Sequence, residues 1–183
     1  MSNDIFIQTL PDDPLIAPVI SGLFAEYASR YGDYFGGKSE IEPASLYAPP
    51  DGAFIVLLRE NVPIAMGAFK RYNANTAELK RIWSASHLRR QGLAQKVLQE
   101  LEKRALQQGY QQLFLTTGFR QPEAVALYLS KGYQPHFDTS VDPVVYSLPP
   151  YDGRLPFTKV LVEPASAFQQ TELQPCCPLS RSA

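Results

Sequence analysis

ELKRIWSASHLRRQGLAQKVLQELEKRALQQG, residues 78–109, reads as a strand, a turn rich in backbone donors and a long amphipathic helix. Leu79-Lys80-Arg81-Ile82-Trp83 alternates apolar and basic residues, as a strand does. Leu93, Ala94, Val97, Leu98, Leu101 and Ala105 recur at helical spacing, with Gln, Lys and Glu filling the other face. Gly109 lies just past the last periodic residue, where a left-handed cap commonly closes a helix. The join is Arg89-Arg90-Gln91-Gly92-Leu93-Ala94. Gly92 lets a ligand approach the backbone, and the first N–H groups of a helix have no partner within it and carry partial positive charge. Arginine adds a fork for phosphate. The turn therefore reads as a pyrophosphate cradle at a helix N-terminus. It has neither the GK[ST] ending of a P-loop nor the three glycines of a dinucleotide-binding turn.

The flanking chain supplies a sheet. Ile5–Ile7 reads as a first strand, and Pro18 to about Tyr31 as a helix with Val19, Ile20, Leu23, Phe24 and Tyr27 on one face. Arg30–Gly37 mixes glycines, aromatics and charges and reads as an irregular binding loop. Ile41–Tyr47 reads as a short helix, and Pro49-Pro50-Asp51-Gly52 as a turn. The apolar run Ala53–Leu58 is a buried strand, and Pro63–Tyr72 and Ala77–Trp83 complete an antiparallel meander. Gln112–Thr117 must run parallel to Ala77–Trp83 if the long helix crosses over. Pro122 opens a further helix and Gly132 closes it. Tyr133–Phe137 starts a strand, Pro143–Tyr146 continues the sheet, and Phe157–Val162 is the last strand.

Two stretches carry a family resemblance. Arg89, Gly92 and Ala94 occupy the fixed positions of R/Q-x-x-G-x-G/A, and this resembles motif A of the GNAT superfamily of acyl-CoA N-acyltransferases. Ala124, Leu127, Tyr128, Gly132 and Tyr133 resemble that family's motif B, N-x-x-A-x-x-L-Y-x-x-x-G-F/Y, with Gln121 in place of the usual Asn. The resemblance covers about Ile5 to Val162 and is specific in the middle third. It implies one α/β (α+β) domain over 1–163, and the Pro-, Gln-, Ser- and Ala-rich composition of 164–183 reads as a disordered tail. The central sheet is then mixed but mostly antiparallel, with six to seven strands splayed at a cofactor slot and about four flanking helices.

The resemblance also implies an acetyl-CoA-dependent N-acetyltransferase acting on a small-molecule amine. The alternatives are a non-catalytic acyl-CoA-sensing module of the same fold, or an enzyme acting on a protein amine. Arg89, Arg90, Gln91, Gly92, Leu93 and Ala94 hold the pyrophosphate in this reading, and the backbone of Ile82 and Trp83 pairs with the pantetheine. Gln121 stands where the family's Asn contacts the same arm. Tyr128 is the proton donor to the departing thiolate, because a phenol of reference pKa about 10 stays protonated at neutral pH. Glu78 is either the base, directly or through water, or a strand-edge carboxylate paired with Lys80 or Arg104. By family analogy the acceptor site draws on Arg30 for a carboxylate, Asp33 for an ammonium and Tyr31 for a wall.

Composition sets the outer bounds. The 183 residues are 45% hydrophobic and 19% charged, which is globular. A net charge of −1 gives no global basic footprint for nucleic acid. No basic-then-apolar leader and no membrane-length apolar run is evident. Adjacent Cys176 and Cys177 lack the companions of a zinc site, so no metal is expected, and a reducing cytoplasm is the natural compartment. A monomer or homodimer is expected, with no nucleic acid or membrane partner.

Overall fold

The computed structural model describes residues 3–36 and 42–162. The expected tail, with Cys176 and Cys177, lies outside the described residues, as do Gly37 and Ile41. The strands are β1 (Asp4–Gln8), β2 (Ala53–Arg59), β3 (Val62–Arg71), β4 (Thr76–Ser84), β5 (Gln112–Gly118), β6 (Gln134–Pro135) and β7 (Arg154–Val160). The α-helices are α1 (Ala17–Tyr31), α2 (Leu93–Gln107) and α3 (Pro122–Ser130), with short 3₁₀ turns between elements. One sheet has the order β1-β2-β3-β4-β5-β7-β6. Every neighbouring pair is antiparallel except β4 and β5, as the α2 crossover requires.

Alternation along the strands sorts two cores. Ala53, Ile55 and Leu57 of β2 join Leu93, Val97, Leu98, Leu101 and Ala105 of α2 on one face. Phe54, Val56 and Leu58 join Leu23 of α1 and Tyr47 on the other. This is the two-sided burial that a continuous apolar strand encodes. Tyr128, Ala124 and Val125 of α3 pack with the α2 side.

The β3–β4 ladder contains the one irregularity on which the site depends. Met66 faces Trp83 and Ala68 faces Lys80, so Gly67 alone stands opposite both Arg81 and Ile82. This is a β-bulge, two residues against one. Arg81 takes φ 60°, in the left-handed region. The sequence reading of simple alternation through Leu79–Trp83 is corrected here. Lys80-Arg81 and Ile82-Trp83 are doublets, and period-two alternation would have sent Arg81 to the α2 face. The extra residue sends Ile82 to that core and leaves Trp83 packed with the α1 side.

The ends of the chain differ more from expectation. Residues 143–147 form a 3₁₀ turn instead of extending the sheet, because Asp142 caps the Val144 N–H at 3.0 Å and Pro143 opens the turn. The last strand begins at Arg154, three residues early, and ends at Val160. Of the helix expected over Ile41–Tyr47, the structure describes a single 3₁₀ turn at Ala44–Tyr47. Among the described residues no helix is long and apolar enough to cross a membrane.

Gly67 joins the bulge to α2. A Cβ there would stand 2.6 Å from Val97 Cγ1, 2.7 Å from Leu101 Cδ1 and 2.9 Å from Ile82 Cδ1. Gly67→Ala should therefore destabilise the protein by about 1–3 kcal/mol through overpacking. Urea denaturation checks this, and a loss below about 0.5 kcal/mol, the scale of a neutral surface change, would mean that α2 has room to move.

Candidate active site

β4 and β5 pair only at Thr76–Gln112, Ala77–Leu113 and Glu78–Phe114. Past that point the strands part, and Leu79–Ser84 faces Leu115–Gly118 across a cleft of about 1090 Å³. The bulge bends β4 on one side. On the other side, the end of β5 is fastened to α1. The Tyr31 hydroxyl donates to Gln121 Oε1 at 3.1 Å and accepts from the Arg120 N–H at 3.3 Å. A Cβ on Gly118 would lie 1.9 Å from that hydroxyl, so only glycine lets α1 come so close.

The cradle lies at the mouth of the cleft. Arg89, Arg90, Gly92, Leu93 and Ala94 line it, while Gln91 does not. Gln91 turns away and accepts a hydrogen bond from Arg59 at 3.1 Å. Arg90 and Gly92 have φ 67° and 70°, so the turn is left-handed on both sides of Gln91. Such backbone turns aim N–H groups into an anion-binding concavity. A Cβ on Gly92 would meet no protein atom within 4 Å, so the space above it is open to a ligand. Leu93 is buried in the α2 core and anchors the first turn of the helix. Arg89 reaches Glu26 of α1 at 3.4 Å, an exposed ion pair of little strength. Residues of the cradle thus fit a pyrophosphate. The edge of β4 past Glu78, unpaired with β5, fits the amides of an extended arm.

Tyr128 stands in the cleft wall. Its ring packs 5.5 Å from both Tyr133 and Phe157. Its hydroxyl forms no hydrogen bond among the described residues and is not sealed in the core. Burial pushes the phenol above its ordinary value, so it stays protonated well beyond neutral pH. Burial likewise raises Tyr27, and it raises Tyr31 to about 12.

The other expected site residues fall in different places. Glu78 lies in the paired part of β4, outside the cleft lining, with Lys80 at 3.2 Å. Gln121 lines the cleft, but its Oε1 accepts from Tyr31, from Thr117 at 3.2 Å and from the Gly118 N–H at 3.1 Å. Arg30 lies outside the cleft. Its guanidinium is held by Glu26 at 2.9 Å, by Glu123 and by the Arg120 carbonyl at 3.0 Å. Burial pushes Glu123 up, but the Arg30 hydrogen bond and charge outweigh it and leave Glu123 below the usual carboxylate range. Asp33 is exposed and does not line the cleft. Tyr31 reaches the cleft but serves as a pin, packed on Phe35 and Phe119.

Sequence reasoning missed Arg81, Glu26, Glu42 and Arg154, which all line the cleft. The Lys80-Arg81 doublet was the signal for the first. The other three have none, because the fold alone brings them to the cleft. Glu42 is bound to Lys70 and the Tyr47 hydroxyl. Burial raises it, but these partners hold it below the usual carboxylate range.

Comparison with known proteins identifies the family and the fold. Residues 21–133 match the model of the Acetyltransferase (GNAT) family. The uncharacterized N-acetyltransferase YjgM of Escherichia coli (strain K12) is 28% identical over 135 residues, covering 71% of this chain and 80% of that protein. A Klebsiella pneumoniae structure described as an acyl-CoA N-acyltransferase aligns with TM-score 0.68 at 22% identity, covering 87% of this chain and 99% of its own. A GNAT family acetyltransferase from Elizabethkingia anophelis with acetyl-CoA bound aligns with TM-score 0.54 at 15% identity, covering 88% of this chain and all of its own. The family match spans well over half of the chain, and the protein belongs to the GNAT acetyltransferase family. That membership supports acyltransferase activity.

Gly92→Glu should weaken acetyl-CoA binding by more than about a hundredfold, since it places bulk and negative charge in the cradle against an anion. Gly92→Ala carries the same left-handed strain without the charge and controls for folding. Arg89→Ala should cost on the order of 1–3 kcal/mol of binding. Calorimetry reads all three, and a folded Gly92→Glu protein with unchanged affinity would sink the cradle assignment.

Proposed function

We propose that the protein transfers the acetyl group of acetyl-CoA to a primary amine of a small molecule by direct attack in a ternary complex. The observation that carries this reading is the unpartnered Tyr128 hydroxyl in the wall of a cleft whose mouth is the cradle. Holding both reactants in that cleft replaces a bimolecular encounter, which can supply much of the rate. Arg89, Arg90 and the N–H groups from Gly92 to Ala94 hold the pyrophosphate. Ile82 and Trp83 offer backbone groups at the bulge, where one residue lacks a ladder partner, and an N–H there stabilises the oxyanion.

The neutral amine nitrogen bonds to the thioester carbonyl carbon. The carbon–sulfur bond then breaks with its electron pair on sulfur. Tyr128 gives the thiolate its proton and recovers one from solvent. The surplus proton of the attacking amine leaves through water, with Glu78 as its receiver. Glu78 acts at a distance, because it lies outside the cleft lining and against Lys80. The products are an amide and free coenzyme A thiol.

Tyr128→Phe should lower kcat by about a hundredfold or more while leaving the Kd for acetyl-CoA nearly unchanged, since the hydroxyl acts only as the thiolate departs. Glu78→Gln should lower kcat by less, about tenfold, because water carries the proton. Thiol release with a panel of amines measures both. Wild-type kcat in Tyr128→Phe across pH would make the tyrosine structural.

A further inference from the structure

Among the described residues five cationic side chains line the cleft: Lys80, Arg81, Arg89, Arg90 and Arg154. Three have carboxylate partners. Lys80 meets Glu78 at 3.2 Å, Arg89 meets Glu26 at 3.4 Å and Arg154 meets Asp152 at 3.0 Å. Arg90 is exposed at the cradle turn. Arg81 is different. It is half-buried, and it forms no ion pair among the described residues. Its guanidinium lies 4.7 Å from the centre of the Phe24 ring of α1. A guanidinium over an aromatic ring keeps the N–H donors of its edge free, and these form the fork that fits a carboxylate.

The surroundings explain why this charge has no ion-pair partner among the described residues. Glu42 is taken by Lys70, and Glu78 by Lys80. Burial raises the phenols of Tyr27 and Tyr47, and the charge of Arg81 works against it in both, so the guanidinium lies within electrostatic reach of α1 and of the Ala44–Tyr47 turn. The position is fixed by backbone geometry. The left-handed residue of the bulge, φ 60°, turns this side chain away from the α2 core. A half-buried cation without a counter-charge carries a desolvation cost that a bound anion removes.

We infer that Arg81 receives a carboxylate of the acceptor, so the acceptor is an amine that carries a carboxylate a few bonds from its nitrogen, as an amino acid does. The inference rests on the acetyl-transfer reading for the word acceptor. Arg81 directly precedes Ile82, whose backbone borders the reacting carbonyl in that reading, so the carboxylate and the amine sit close together.

Product-side probes test this without turnover. N-acetylglycine, N-acetylphenylalanine and N-acetylglutamate, each beside its α-carboxamide, are titrated into the protein with coenzyme A by calorimetry. At least one acid should bind about tenfold or more tighter than its amide, as a charged hydrogen-bonded pair provides. Arg81→Gln should bring acid and amide level. Arg81→Lys keeps the charge without the fork and should retain part of the preference. An acetyl-CoA titration of each variant reports that it is folded. If Arg81→Gln fails to fold, the wild-type comparison and Arg81→Lys decide. Equal binding of acid and amide, binding of neither, or an acid preference that survives Arg81→Gln overturns the inference. Acetyl transfer to amines with no preference for a carboxylate also overturns it and leaves the acetyltransferase reading standing. Acid-selective binding with no transfer to any amine supports the carboxylate site and overturns the acetyltransferase reading.

Discussion

One residue of extra length in β4 sets the geometry of this protein. Gly67 faces both Arg81 and Ile82, so β4 bends at that point, just past its last pairing with β5 at Glu78–Phe114. Glycine is needed there because Val97 and Leu101 of α2 press onto the same spot. The bulge therefore does three things at once. It seats α2, bends the β4 wall of the cleft and sends a cationic side chain toward α1. A regular strand would have placed Arg81 on the face of the α2 core. Fold stability and site geometry thus share a cause.

The middle of the chain was legible because its local signals agree with one another. The apolar run of β2, the helical spacing of α2, and the glycine at its start each name their own element. The parallel run of β4 and β5 followed from α2 crossing over between them. The ends were less legible for definite reasons. Pro156 lies inside β7, and proline reads as a strand breaker, which hid the start of that strand. Pro143-Val144-Val145-Tyr146 has strand composition, but the Asp142 cap and Pro143 turn it into 3₁₀. Local cap chemistry overrode propensity there. Within β4 the basic-then-apolar doublets contain the bulge, but they resemble alternation when read loosely.

Among the site residues, the reading was sharpest where motif and backbone coincide and weakest where charge alone was the guide. Gly92, Leu93 and Ala94 sit where a helix start must sit, and Tyr128 points at the cleft. Arg30 shows the limit of the other kind of argument. An arginine in a loop near an expected acceptor site is a fair clamp in one dimension. In three dimensions Glu26 and Glu123 neutralise it, and Arg120 interlocks with it by donating to the Arg30 carbonyl at 2.7 Å. Partners separated by about ninety residues cannot be weighed from spacing.

Gln121 makes the same point in the opposite direction. The extra methylene relative to asparagine gives its oxygen reach, and that oxygen accepts from Tyr31, Thr117 and the Gly118 N–H together. Three hydrogen bonds on one oxygen tie α1, the end of β5 and the start of α3 into a single unit. Tyr31 lies within that unit, and Gly118 is glycine because Tyr31 occupies its side-chain space. The wall opposite β4 is therefore held by polar contacts centred on one side chain, while the β4 wall is held by apolar packing on Gly67. The cleft stays open because each wall is anchored to a different partner, α1 for β5 and α2 for β4. Any ligand between them meets two surfaces whose spacing was fixed during folding.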